Sequence, residues 1–188
     1  MNTLFTRALL ATAALALATP ALAESHAATG NPMVGGAAMF AEMNIVENAL
    51  NSADHTTLVA AVKAAGLVDT LMSAGPFTVF APVNAAFDAL PAGTVPTLLQ
   101  PENKATLAKV LTAHVVAGDI SASDIKARAG KDGFYHMQTV SGDALSAQVK
   151  GRNIYMFDES GNFGKITIAD VNQSNGVIHV VDTVLLPK

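Results

Sequence analysis

The stretch GPFTVFAPVNAAFDALP, Gly75 to Pro91, decides how the rest of the chain is read. Gly75-Pro76 breaks any preceding helix, and Phe77-Thr78-Val79-Phe80 follows as a β-branched and aromatic run with the composition of a buried strand. Pro82 ends that strand, because proline has no N–H to give to a ladder. Asn84 is then placed to cap a short helix, Ala85 to Leu90, with Phe87 and Leu90 on one side and Pro91 closing it. The aromatics and valines read as core and Asn84 as a cap, so the polar groups of this run have local structural work.

Upstream, Asn44 with Glu47 three residues on has the spacing of a capping box. A second helix is expected after Asp54, carrying Leu58, Val59, Val62 and Leu67 and stopped by Gly66, with a further helical turn over Val68 to Met72. Downstream, Pro101 to His114 reads as an amphipathic helix with Leu107, Val110, Leu111 and His114 on one stripe. Val115-Val116-Ala117-Gly118 leaves it as a short strand or turn, and Ser123 is expected to cap a brief helix through Arg128. The last third changes period. Phe134–Val140, Ala144–Val149, Asn153–Phe157, Lys165–Val171 and Gly176–Leu186 are strand-type runs separated by Gly-, Asn- and Asp-rich turns. Helices first and strands afterwards predict an α+β domain.

Residues 1–23 combine Arg7, an apolar run from Ala8 to Ala18 and the triplet Ala21-Leu22-Ala23, the three parts of a secretory signal peptide, with cleavage expected after Ala23. That run is shorter than the roughly 20 residues of a bilayer span, and turn residues or charges interrupt every later one, so no integral membrane segment is expected after cleavage. Residues 24–40 are small, Gly-rich and Met-containing, and predict an irregular leader that packs through Met33, Val34, Met39 and Phe40. A single domain is expected over 41–187. The chain has no cysteine, so an exported form relies on its hydrophobic core rather than on disulfides. Its formal net charge of −4 and lack of a basic run argue against nucleic acid as a partner.

Three segments carry a resemblance. Thr78-Val79-Phe80-Ala81-Pro82-Val83-Asn84-Ala85-Ala86-Phe87, Leu111-Thr112-Ala113-His114-Val115-Val116, and Asn175-Gly176-Val177-Ile178-His179-Val180-Val181-Asp182-Thr183-Val184-Leu185-Leu186-Pro187 resemble, in order and spacing, the three boxes of the fasciclin domain family. The resemblance runs from about Asn44 to Pro187. It implies a wedge of β-strands with a layer of short helices on one side, in an exported protein of periplasm or extracellular space. It also implies a non-enzymatic role, either attachment to a surface glycan or a cell-surface protein, or carriage of an apolar small molecule such as a carotenoid or lipid; a groove between helices and sheet, which the Met-bearing leader could cover, is the place expected for such a ligand. Thr78, Phe80, Pro82, Asn84, Phe87, Gly176 and Asp182 stand at its structural positions. Val83 replaces a hydroxyl residue of many members. Ala113 replaces a tyrosine which, paired with the following histidine in animal members, has been tied to receptor binding, so that role is not carried over.

Chemistry-bearing residues are few. No metal or cofactor is expected, and the sequence contains no nucleophile elbow, zinc-binding His-Glu-x-x-His or phosphate loop. His114 with Asp119 and His179 with Asp182 are the near acid–base pairs, but neither has a nucleophile beside it, so catalysis is not expected. His114, at a helix end that favours a protonated ring, is expected either to tie down the junction or to form a partner contact with Val115 and Val116. His179 is a second binding candidate, buried or edge-facing. Met33, Met39 and Met43 near His26 suit copper(I) in ligand type, yet the intervening glycines set no geometry and gap filling is the plainer role. Asn172-Gln173-Ser174 has the form of a glycosylation acceptor and is read as turn chemistry.

Overall fold

Gly35 and Gly36 turn the chain back on itself with φ of 58° and 76°. Two consecutive positive φ values suit a two-residue hairpin, and Met33–Val34 (β1) pairs antiparallel with Ala37–Ala38 (β2). The computed structural model describes residues 30–188; the signal peptide, its cleavage site and His26 lie outside the described residues. The leader expected to be irregular therefore ends in a hairpin, for which Gly-Gly was the available signal. Val34 and Met39 are buried, but Met33 is 63% exposed because alternate residues of a strand face opposite sides.

The Asn44 capping box forms: Asn44 Oδ1 accepts the N–H groups of Val46 and Glu47, and the Glu47 carboxylate accepts the Asn44 N–H. It starts Ile45–Asn51 (α1). A 3-10 turn, Ala53–His55, leads into Thr56–Ala65 (α2), which Gly66 ends in the left-handed region, and Val68–Met72 (α3) follows. After Phe77–Pro82 (β3) come Asn84–Asp88 (α4) and Thr94–Leu98 (α5), the latter unexpected because Pro96 masks so short a helix. The helix expected from Pro101 to His114 is a 3-10 turn, Pro101–Asn103, followed by Lys104–Thr112 (α6). Val115–Ala117 is β4. Ala122–Arg128 (α7) begins two residues before the expected start, because Ser121 rather than Ser123 has the partner Asp124 three residues on that completes a capping box.

The strands of the last third are Phe134–Gln138 (β5), Ala144–Lys150 (β6), Asn153–Phe157 (β7), Phe163–Gln173 (β8) and Gly176–Val181 (β9). β9 stops before the expected Leu186 because Asp182 Oδ1 accepts the Lys165 N–H at 2.7 Å, a side chain taking over from the ladder. The seven strands run in the order β4-β3-β9-β8-β7-β6-β5. Among the described residues only β3 and β9 pair in parallel. Val140 donates its N–H to the Val115 carbonyl at 2.7 Å and Val116 bridges Thr139, so the two edges curl towards each other into a near-barrel.

This topology buries β3 and β9 on both faces. Val79, Ile178 and Val180 pack towards Leu58, Val62 and Leu111 of the helical layer. Phe80 and Val181 face the inside of the curl with Ile125, Leu145, Met156 and Leu185. The start of β9 is pinned by Asn175, whose Nδ2 donates to the Leu71 and Ser73 carbonyls and whose Oδ1 accepts the Ile45 N–H. Backbones approach closely there: a Cβ on Gly176 would lie 1.9 Å from the Phe77 carbonyl oxygen. The result is the α+β wedge, with helices to one side, that the sequence predicts.

Candidate functional site

Asn84 does not cap its own helix. It is the first residue of α4, and Val83 before it offers no side-chain acceptor. Its Oδ1 instead accepts the Thr57 N–H at 3.0 Å and the Thr56 hydroxyl at 3.2 Å, while its Nδ2 donates to the Ala53 carbonyl at 2.9 Å. These bonds cap α2, whose preceding residue His55 supplies no side-chain cap. Other motif residues also bond or pack within the fold. Thr78 Oγ1 donates to the Gly118 carbonyl and accepts the Ile120 N–H. Phe80 and Phe87 are buried in the two cores, and Pro82 pairs with Val181 at the end of β3.

His114 is buried between the end of α6 and the closing segment. Its Nδ1 donates to the Val110 carbonyl at 2.8 Å, and its Nε2 accepts the Leu185 N–H at 2.8 Å. This arrangement requires a neutral ring. Burial pushes its pKa down to about 4, against the opposing pull of the Val110 carbonyl and Asp158. The protonated ring expected at a helix end is thus overridden by desolvation. His179 is fully buried and stacks on Phe80 with ring centroids 5.6 Å apart. Its Nε2 donates to the Ile120 carbonyl at 2.8 Å and its Nδ1 accepts the Asp170 N–H at 3.2 Å, and burial lowers its pKa too. Both nitrogens of each ring are engaged, which leaves none for proton transfer to a substrate. Val115 and Val116 are buried beside them, so these four residues do not form an exposed partner contact.

Two further features stand out, one where the sequence reading places a groove between helices and sheet and one that it does not place. The first is an apolar cavity of about 70 Å³ between the helical layer and β3, with Leu58, Val62, Val79 and Ile178 in its wall and Val34 and Met39 of the hairpin region contributing to it. His114 and Val115 touch this cavity from the inside. His55 also stands in the wall, a residue to which the sequence drew no notice.

The second is an aromatic face on the outer side of β5–β8. Register places Phe134, Gln148, Tyr155 and Lys165 in one cross-strand row and His136, Ser146, Phe157 and Phe163 in the next. Phe157 stacks on Phe163 at 5.4 Å, Phe134 meets Phe157 edge-on at 5.8 Å, and Tyr155 meets Phe163 at 6.4 Å. Phe163 is 58% exposed. The alternating residues Leu145, Ala147, Ile154 and Met156 point the other way into the core.

The methionines do not share one environment, since Met33 is exposed and Met39 is in the core. Among the described residues no group of three or more His, Cys, Asp or Glu side chains is placed to hold a metal ion, and no helix is long and apolar enough to cross a membrane. Asn172 lies within β8 rather than in a turn, its backbone bonded to the Asn31 side chain.

The described residues form a mixed near-barrel with one helical layer, two internally bonded histidines, an apolar cavity and an aromatic outer face. The fasciclin domain profile matches residues 53–187, and the chain belongs to the fasciclin domain family. It is 46% identical to protein sll1483 of Synechocystis over 93% of this chain and 90% of that protein. It is 35% identical to the cell surface glycolipoprotein MPB83 of Mycobacterium bovis over 81% of this chain and 64% of that one. Among solved structures, a FAS1 domain pair from the insect cell adhesion molecule fasciclin I superposes with a TM-score of 0.68 at 17% identity, over 77% of this chain and 51% of that one, a likeness of fold.

Proposed function

We propose that this protein is an exported, non-enzymatic binding module that attaches its cell to a surface through a glycan. The aromatic face of β5–β8 carries this reading. Sugar rings offer apolar C–H faces for stacking and hydroxyls for hydrogen bonds, and this face sets Phe134, Tyr155, Phe157 and Phe163 among Gln148, His136, Ser146 and Lys165. The Ser146 hydroxyl already lies 2.7 Å from His136 Nδ1, which orders the polar groups between the rings. Export is supported by the signal-peptide pattern of residues 1–23 and by the similarity to a protein named for the cell surface. The absence of enzymatic work is supported by the two saturated histidines and by the family. Attachment of host cells with and without the gene to a polysaccharide-coated surface tests the proposal. Loss of attachment on deletion is the expected result, and unchanged attachment would count against it, with a cell-surface protein as the partner to examine next.

The cavity between the helices and β3 favours a second reading, carriage of an apolar small molecule. The surface its wall presents is almost wholly apolar, and such space favours a ligand that buries apolar surface. A pigment or lipid retained by protein purified from its own host supports this reading; uptake of no apolar probe contradicts it.

A further inference from the structure

We infer that the glycan held by the aromatic face is an acidic one: its sugar rings lie on Tyr155 and the neighbouring aromatics, while a carboxylate or sulfate borne by the ring meets Lys150 and Lys165. The inference deepens the glycan reading and rests on it.

Register fixes where the cations stand. Lys165 on β8 is the cross-strand partner of Tyr155. Lys150 lies two residues beyond Gln148 on β6, so it faces the same side, and it pairs with Asn153. Directly opposite side chains of an antiparallel pair have Cβ atoms about 5 Å apart, and lysine carries its charge on a flexible four-carbon stem. Each ammonium therefore reaches the edge of a sugar ring stacked on Tyr155. Arg152 in the β6–β7 turn adds a further cation at this end of the face, and Lys150 and Arg152 are both exposed.

The protein does not use these charges internally. Among the described residues the ion pair that forms is Lys109 with Asp143 at 3.6 Å, which leaves Lys150, Arg152 and Lys165 without a carboxylate partner. The nearby acids are bonded to other groups. Asp182, across from Lys165, accepts the Lys165 N–H at 2.7 Å and the Thr183 hydroxyl at 3.1 Å, and Asp132, ahead of β5, accepts the Phe134 N–H at 3.1 Å. The other end of the sheet is where carboxylates gather: Asp143 faces Lys109 there, and Glu159 accepts the Ala144 N–H at 2.7 Å. A chain of net charge −4 thus keeps its unpaired cations beside the Tyr155 row and its acids away from it.

That separation selects the ligand. Stacking on the rings treats neutral and acidic sugars alike, because both offer the same C–H faces. An anionic substituent adds charge-assisted hydrogen bonds to ammonium groups that a neutral sugar leaves in water. A single exposed pair of this kind is weak, but a polymer that repeats its charge along the chain engages several at once.

The test is affinity electrophoresis of the whole purified protein through gels holding polygalacturonate, its carboxyl-reduced form, dextran sulfate or dextran. Retardation by a charged polymer is expected to exceed that by its neutral counterpart about tenfold, and Lys150→Gln with Lys165→Gln is expected to abolish the difference. A preference confined to polygalacturonate or to dextran sulfate supports the inference and names the acid. Equal retardation by charged and neutral forms, or a preference that the double variant retains, overturns the inference and leaves the glycan reading standing. Retardation by none of the polymers overturns the inference too, and polysaccharide from the host's own envelope then decides the glycan reading. If the double variant does not fold, salt decides on the wild type: the preference is expected to vanish near 1 M salt, where charges are screened beyond roughly 3 Å, and its persistence there overturns the inference.

Discussion

Asn84 and Thr57, 27 residues apart, are joined by a 3.0 Å hydrogen bond from the Thr57 N–H to the Asn84 side chain. One asparagine at the start of α4 therefore caps the helix beside it, and its amide holds the Ala53 carbonyl as well. Asn84→Ala is expected to lower stability by about 1–2 kcal/mol. Hydrogen exchange locates the effect: the Thr57 amide is expected to lose protection, and selective loss in α4 would contradict the cross-helix role.

Acid should destabilise the fold in a defined window. The folded-state pKa of His114 is about 4, below the ordinary value of 6.5. Above pH 6.5 the ring is neutral in both states and no stability is at stake. As pH falls from 6.5 towards 4 the unfolded chain takes up a proton that the native ring refuses, and roughly 3 kcal/mol is lost. His55 and His179, lowered for the same reason, act in the same direction. Urea titrations at intervals between pH 7.5 and 4 check this, and a His114→Gln variant is expected to show a shallower fall.

The close approach of β3 and β9 leaves no room for a side chain at Gly176, where φ is 151° and a Cβ would strike the Phe77 carbonyl. Gly176→Ala is expected to cost about 3 kcal/mol or more, because the obstacle is backbone that cannot turn aside. Thermal unfolding of that variant within a degree or two of the wild type would refute the close approach.

The hairpin is held at its base by Asn31, which donates to the Asn172 carbonyl at 2.7 Å and accepts the Asn172 N–H at 2.8 Å. Asn31→Ala is expected to lower stability by about 1 kcal/mol and to speed proteolysis within residues 30–40 while the remaining domain stays resistant. Cleavage at an unchanged rate would show that Val34 and Met39 alone hold the hairpin.

Local signals made much of the fold legible. The Asn44–Glu47 box, Gly66 and the strand from Phe77 depend on neighbours within a few residues, and each forms as read. The strand runs of the last third were visible for the same reason, though Asp182 ends β9 through a bond to a residue 17 positions away. Asn84 reads as a cap from the sequence, but for the nearer helix, since nothing local announces that Thr57 lies closer in space. The functional surfaces were less legible. The aromatic face exists only once register sets Phe134 across from Gln148 and Tyr155. The alternation in Phe134-Tyr135-His136 and Tyr155-Met156-Phe157 was the signal available for it.

The most direct test of attachment through the aromatic face is sedimentation of the purified protein with insoluble polysaccharide from its own host's envelope, compared with a Tyr155→Ala, Phe163→Ala variant. Phe163 is exposed and Tyr155 half-buried on the outer face, so the variant is expected to fold. Co-sedimentation of the wild type, weakened at least tenfold in the variant, is the predicted result. Wild-type protein left in the supernatant, or a variant that binds equally well, would contradict it.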